Sequence, residues 1–124
     1  MKNHKKTAEF FLNMVVSGKI REAYSSYVAP KCFHHNPYFK GDLESLMKGM
    51  EENEVRFPNK VLQIKHAVSD GNLVMVHSRL QMKADLPEMA VVHIFRFQDD
   101  GKIVEMWDVG QSAPEEILNE NGMF

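Results

Sequence analysis

The sequence has a single cysteine, Cys32, among its 124 residues. One cysteine forms neither an intramolecular disulfide nor a cysteine-based zinc site, so a reducing compartment is expected. Met1 to Phe11 lacks the continuous apolar stretch of a secretory signal, and no run approaches the roughly 18 apolar residues of a membrane span. We therefore expect a cytoplasmic protein with no membrane partner.

The sequence also lacks an excess of positive charge, since 15 Lys and Arg residues against 17 Asp and Glu residues give a net charge of −2. No basic field is available to hold phosphate backbones, which argues against nucleic acid as a partner. Domains commonly run to about 100–150 residues, and no linker, repeat or low-complexity tract interrupts this chain. We predict a single domain over residues 1–124.

The first half of the chain carries three helical patterns. Apolar residues spaced three and four apart predict an amphipathic helix over Thr7–Val16, which Gly18 ends. A second helix is predicted over Ile20–Tyr27, with Pro30 as its stop. Asp42 is expected to cap a third helix that begins at Leu43 and reaches about Val55.

Strand patterns occupy the rest of the chain. A short strand is predicted within Cys32–Pro37, leading into a loop, and four more follow with hairpin turns at Asp70-Gly71 and Asp99-Asp100-Gly101. The four are Val61–Val68, Asn72–Met82, Met89–Phe97 and Lys102–Val109. Helices grouped before strands predict an α+β fold, with three N-terminal helices packed on a curved antiparallel or mixed sheet. Such a sheet, closed by helices at one end, forms a cone with a hollow mouth.

Two polar residues stand out in the last two strands. Strand alternation places His93 on one face with Phe95 and Phe97, and Asp108 on one face with Val104 and Met106. The same alternation predicts Ile103, Glu105 and Trp107 on the opposite face. If the first face is the hollow one, Asp108 is a partly buried carboxylate that needs a partner, and His93 can supply it. The pair is either a site for acid–base chemistry or a structural bond between two strands.

Further residues are candidates for lining the hollow. Phe95 and Met106 share the inward face, and His35 and Tyr38 are candidate substrate-binding residues near its mouth. His77, which shares a strand face with Met75 and Arg79, is a third candidate and is either inward or interfacial. His34 points opposite to His35 and is expected on the outer face.

A metal site is an alternative interpretation of the polar residues. The side chains of His35, His77, His93 and Asp108 are ligand types that zinc, iron or nickel accept. No HxH or HExxH spacing supports such a site, so these ligands would have to meet only in space. We predict no metal and no cofactor.

The C-terminal run VVHIFRFQDDGKIVEMWDV resembles the SnoaL-like polyketide cyclase branch of the NTF2-like superfamily. The HNP triplet His35-Asn36-Pro37 and the VMVH run Val74–His77 are similar to landmarks of a SnoaL-like group. The resemblance implies an NTF2-like cone in which Asp108 is the general base for carbon–carbon ring closure and His93 sits beside it. It also implies a homodimer through the outer face of the sheet, where Trp107 and Glu105 lie.

The leading hypothesis is a cofactor-independent enzyme that acts on a small, largely apolar carbonyl compound. An apolar pocket would bring the base closer to neutrality than an exposed aspartate, and His93 could hydrogen-bond the developing enolate oxygen. The reaction would be an aldol-type condensation, a cyclisation or an isomerisation. The alternatives are a non-catalytic domain that binds small molecules and the histidine-rich metal site.

Overall fold

A computed structural model describes residues 3–124, and Met1 and Lys2 lie outside the described residues. Within this range the chain forms three helices and five strands, which confirms the predicted α+β class. In chain order they are α1 (His4–Val16), α2 (Ile20–Tyr27), β1 (Val28–His34), α3 (Leu43–Arg56), β2 (Val61–Asp70), β3 (Leu73–Gln81), β4 (Met89–Phe97) and β5 (Ile103–Ser112). No helix in residues 3–124 is both long and apolar enough to cross a membrane.

Local sequence signals set the ends of the helices. Gly18 has φ +90°, a left-handed conformation that glycine adopts without a Cβ penalty, and it joins α1 to α2 as predicted. The Asp42 carboxylate accepts a hydrogen bond from the Ser45 N–H at 2.8 Å, which holds the pKa of Asp42 below its usual range and caps α3. The predicted bounds of α2 are confirmed, whereas α1 begins at His4 rather than Thr7.

The strands form one sheet in the order β1-β5-β4-β3-β2. Strands β2 to β5 are an antiparallel meander, and β1 pairs in parallel with β5 at one edge. The prediction for β1 was wrong in its bounds: this strand starts at Val28, directly after α2, and contains Pro30. An edge strand accommodates proline because one side of it needs no N–H donors.

A bulge in β5 corrects the predicted faces of its first residues. Arg96 is opposite Glu105 and Phe97 is opposite Ile103, so Val104 is an extra residue in β5. Ile103 therefore lies in the core, 0% exposed, although strict alternation put it on the outer face.

The core lies between α1, α2 and the inner face of the sheet. The Phe11 ring meets Phe95 edge to face, with ring centroids 5.8 Å apart. Val74, Phe95 and Met106 are direct cross-strand partners on β3, β4 and β5, and all three are buried. The next row on the same face is Val76, His93 and Asp108, so these two polar residues sit one step from the core.

Candidate functional site

A cavity of about 80 Å³ lies between the helices and the inner face of the sheet. Most of its wall is apolar, and polar side chains border one part of it. The apolar side chains come from α1 (Phe11, Leu12, Val15), α3 (Leu46, Met50) and the sheet (Phe95, Met106), and the remaining lining residues are Tyr24, His34, Asn36, His93, Trp107 and Asp108.

His93 and Asp108 both line this cavity and are opposite each other across β4 and β5. The His93 ring is half-buried overall, but its Nδ1 is shielded from solvent and has no hydrogen-bond partner among residues 3–124. Burial lowers the pKa of His93 below its usual value, and the nearby Asp108 carboxylate opposes that effect. The imidazole is therefore neutral at neutral pH, and its Nδ1 is a buried polar atom without a hydrogen bond.

Asp108 sits at the rim of the cavity and is exposed, whereas the sequence predicted a partly buried carboxylate. Its hydrogen-bond partner is Asn36, whose Nδ2 donates to Oδ2 at 3.1 Å. The Asn36 Oδ1 accepts the Tyr38 N–H at 3.0 Å, which fixes the orientation of the amide. Asn36 therefore orients the Asp108 carboxylate from the turn after β1.

His34 supports this turn from inside the fold. Its Nε2 lies 2.5 Å from the Lys40 carbonyl oxygen, and its Nδ1 accepts the Asn36 N–H at 3.2 Å. A carbonyl oxygen only accepts, so the proton is on Nε2 and both ring nitrogens are occupied. The expectation that His34 is on the outer face was wrong, since it is 7% exposed and lines the cavity. The opposite orientations of His34 and His35 were predicted, but the two faces were exchanged.

Tyr24 is a polar lining residue to which the sequence analysis assigned no role in the site. It is 6% exposed on α2, and its ring packs against Phe11 with centroids 5.2 Å apart. Burial raises the pKa of the Tyr24 phenol, and the charges of Cys32 and Asp108 add to the effect. The hydroxyl thus stays protonated beside the cavity, where it can donate a hydrogen bond.

His35 does not line the cavity and instead belongs to an outer cluster of four side chains: His35, Arg96, Glu105 and Trp107. The His35 ring stacks on Trp107 at 5.1 Å, and Arg96 lies over the same indole at 5.8 Å. The Glu105 carboxylate accepts hydrogen bonds from His35 at 2.7 Å and from Arg96 at 3.3 Å, and these contacts lower its pKa.

His77 and Tyr38 also lie away from the cavity lining. His77 pairs with His66 on the other face of the sheet, with their Nδ1 atoms 3.0 Å apart and their rings stacked. Tyr38 is 87% exposed. Among residues 3–124 no three His, Cys, Asp or Glu side chains lie close enough together to hold a metal ion, so the four candidate ligands His35, His77, His93 and Asp108 do not converge.

Comparison with protein families assigns the chain. The model of the SnoaL-like domain matches residues 8–106, which is most of the sequence. The chain therefore belongs to the SnoaL-like domain family. The match includes Asn36 and His93 and ends before Asp108. A comparison with curated proteins gives no match.

Solved structures with this fold include members named as candidate polyketide cyclases. IdmH from Streptomyces antibioticus is 18% identical, with a TM-score of 0.74 over 89% of this chain and 93% of that one. A protein from Acidithiobacillus ferrooxidans is 20% identical, with a TM-score of 0.70 over 87% of each chain. An NTF2-like protein from Cytophaga hutchinsonii is 12% identical, with a TM-score of 0.71 over 90% of this chain and 92% of that one. The predicted NTF2-like cone is thus confirmed as the fold.

Proposed function

We propose that the chain is a cofactor-independent enzyme in which Asp108 and His93 act on a small, largely apolar carbonyl compound. The observation that carries this proposal is the pairing of two different polar groups at one apolar cavity. Asp108 is a carboxylate at the rim, and His93 directly opposite it has a shielded Nδ1 without a partner. A buried polar atom without a partner costs free energy in the empty protein, and a ligand that bonds it recovers that cost.

The two groups suit the formation of an enolate. Asp108 accepts the proton from the carbon next to the ligand carbonyl, and the electron pair of that C–H bond moves onto the carbonyl oxygen. Solvent does not reach the His93 Nδ1 in the empty protein, so the neutral ring turns to aim its Nδ1–H at that oxygen and donates a hydrogen bond to it as charge develops there. If the ligand is a β,γ-unsaturated ketone, the enolate is conjugated, and return of the proton from Asp108 to the γ-carbon gives an isomerisation. If the enolate carbon instead attacks a second carbonyl of the ligand, the new alkoxide takes the proton from Asp108, which completes an aldol-type ring closure.

Tyr24 and Asn36 complete this arrangement from two other elements. The Tyr24 hydroxyl, held protonated by burial, is a second donor beside the cavity. Asn36 holds the Asp108 carboxylate at 3.1 Å and orients it. The likeness of fold to candidate polyketide cyclases is consistent with enolate chemistry.

Exchange of α-protons in D₂O tests the base without knowledge of the natural substrate. A small cyclic ketone such as cyclohexanone is incubated with the protein, and loss of its α-proton NMR signal is followed against a protein-free sample. We expect exchange above background, and we expect Asp108→Asn to reduce it by about 10²–10⁴-fold, the usual contribution of a general base.

Asp85→Asn is the matched control, because Asp85 is an exposed carboxylate between β3 and β4 that does not line the cavity. It should leave the exchange rate unchanged. Full activity in a folded Asp108→Asn variant contradicts the assignment of the base. Ketone binding without any exchange favours the alternative of a non-catalytic binding domain.

The same proposal includes a homodimer formed through the outer face of the sheet. Val68, Met75, Ile94 and Trp107 are successive cross-strand partners on that face. Val68 is 58% exposed and Met75 is 43% exposed, so the row offers an apolar surface to a partner.

A further inference from the structure

We infer that the site accepts an uncharged ketone no larger than a single ring and that it rejects fused-ring compounds and anions. This inference deepens the proposed function and rests on it. It specifies the size and the charge of the ligand, which the chemistry of the Asp108 and His93 pair leaves open.

The size limit follows from the volume of the cavity. A dry cavity of about 150 Å³ lined by apolar side chains in another protein binds benzene. The cavity here has a volume of about 80 Å³, roughly half of that, and it is partly open. A six-membered ring is therefore too large to lie wholly inside: its apolar part occupies the cavity, and its carbonyl end extends past the rim beside Asp108. A second ring fused on the inner side of the first has no space unless a wall moves.

The walls that oppose a second ring belong to two helices. Phe11 and Leu46 are 3% and 5% exposed and are held in the core. Val15 and Met50 also line the cavity but are only partly buried. Displacing packed side chains to admit extra volume is unfavourable and weakens the binding of a larger ligand. Met50 is the best candidate for a size-determining residue, because it is long, flexible and not part of the fully buried core.

The charge limit follows from the polar groups. None of the described residues that line the cavity is a lysine or an arginine. Asp108 contributes a carboxylate, His93 is neutral because burial lowers its pKa, and both ring nitrogens of His34 already have partners. A ligand carboxylate would therefore lose its hydration and face Asp108 without a cation to balance it.

The size limit is tested by two ketones that differ by one ring, cyclohexanone and 2-decalone. Their dissociation constants are measured by ¹H–¹⁵N NMR titration of the full chain, in which shifts at Trp107 and His93 report the cavity. We expect 2-decalone to bind at least about tenfold more weakly, the effect of about 1.4 kcal/mol of overpacking. Met50→Ala should reduce the affinity difference between the two ketones. If Met50→Ala does not fold, Val15→Ala replaces it in the same measurement.

The charge limit is tested by a pair of equal size, 4-oxocyclohexanecarboxamide and 4-oxocyclohexanecarboxylate. We expect the amide to bind at least about tenfold more tightly than the carboxylate, a difference of about 1.4 kcal/mol. Asp108→Asn should reduce the affinity difference between the amide and the carboxylate and leave the difference between cyclohexanone and 2-decalone unchanged. Met50→Ala should reduce the difference between cyclohexanone and 2-decalone and leave the difference between the amide and the carboxylate unchanged.

The outcomes separate this inference from the proposed function. If 2-decalone binds as tightly as cyclohexanone, or the carboxylate as tightly as the amide, while α-proton exchange still depends on Asp108, the inference fails alone. If no ketone binds at the cavity, or if exchange is indifferent to Asp108, both fail. The inference is supported if Met50→Ala reduces only the affinity difference between cyclohexanone and 2-decalone, and Asp108→Asn reduces only the affinity difference between the amide and the carboxylate.

Discussion

Asn36 and Asp108 are 72 positions apart in the chain, and the Asn36 Nδ2 donates a hydrogen bond to the Asp108 Oδ2 at 3.1 Å. The Oδ1 of the same amide accepts the Tyr38 N–H, so the amide nitrogen and the amide oxygen form two different hydrogen bonds. One end closes the turn after β1, and the other holds the carboxylate at the cavity rim. This arrangement connects the HNP triplet to the last strand of the sheet.

Asn36→Ser separates these two tasks. The serine hydroxyl can still accept the Tyr38 N–H, as serine commonly does in such turns, but it is too short to reach Asp108. We expect the free energy of unfolding to fall by no more than about 1 kcal/mol, because Asp108 is exposed and water replaces the lost donor. Ketone α-proton exchange should fall by about tenfold, since the carboxylate is no longer oriented. Unchanged exchange in a folded variant would show that Asn36 has no part in the site.

Gly49→Ala tests how α3 holds the turn. A methyl group at Gly49 would overlap the Phe39 ring, which packs directly on that glycine. Alanine is favoured over glycine in a helix by about 1 kcal/mol. Gly49→Ala therefore lowers stability only if the clash with Phe39 costs more free energy than this preference gains. We expect a loss of about 1–3 kcal/mol in chemical denaturation.

A double-mutant cycle provides the control for that change. In a Phe39→Ala background the added methyl group meets no ring, and Gly49→Ala should become neutral or stabilising. Equal effects of Gly49→Ala in both backgrounds would mean that Phe39 is not the cause.

Local signals predicted most of the fold. The bounds of α2 and β4, the glycine turn at Gly18 and the cap at Asp42 follow from neighbouring residues, and each is present as predicted. The start of β1 was missed because Pro30 argues against a strand in general and is tolerated only at an edge. That Val28–His34 lies at an edge depends on the order of strands, which no local pattern contains.

The candidate site was harder to predict than the fold. Alternation placed His93, Phe95, Met106 and Asp108 together, and all four line the cavity. The bulge at Val104 shifted Ile103 to the inner face, and its position depends on the pairing with β4. Asn36 and Tyr24 were missed as site residues because their proximity to Asp108 arises only from tertiary folding. The one sequence signal for Asn36 was its position in the HNP triplet, next to the candidate residue His35.

Disruption of the outer face tests the proposed homodimer. Met75→Glu places a charge in the middle of the apolar row formed by Val68, Met75, Ile94 and Trp107. We expect the unaltered chain to have the mass of two copies by light scattering and Met75→Glu to have the mass of one. Val55→Glu is the matched control, because Val55 is 83% exposed on α3 rather than on the sheet. A single-chain mass for the unaltered protein contradicts the dimer.

The buried imidazole of His93 predicts how stability depends on pH. Burial lowers its pKa in the folded state below the ordinary value of 6.5 that it has in the unfolded chain, so below that pH the unfolded chain takes up a proton that the folded chain does not. This contribution to stability is therefore complete above pH 6.5 and decreases as the pH falls below it. The slope from one such group is at most about 1.4 kcal/mol per pH unit.

His93→Gln keeps a polar side chain but removes the titration, so its free energy of unfolding should decline less between pH 7.5 and pH 5.5 than that of the unaltered chain. Urea denaturation followed by circular dichroism at both pH values measures the difference, and equal declines in the two proteins would mean that His93 is not shielded in the folded state.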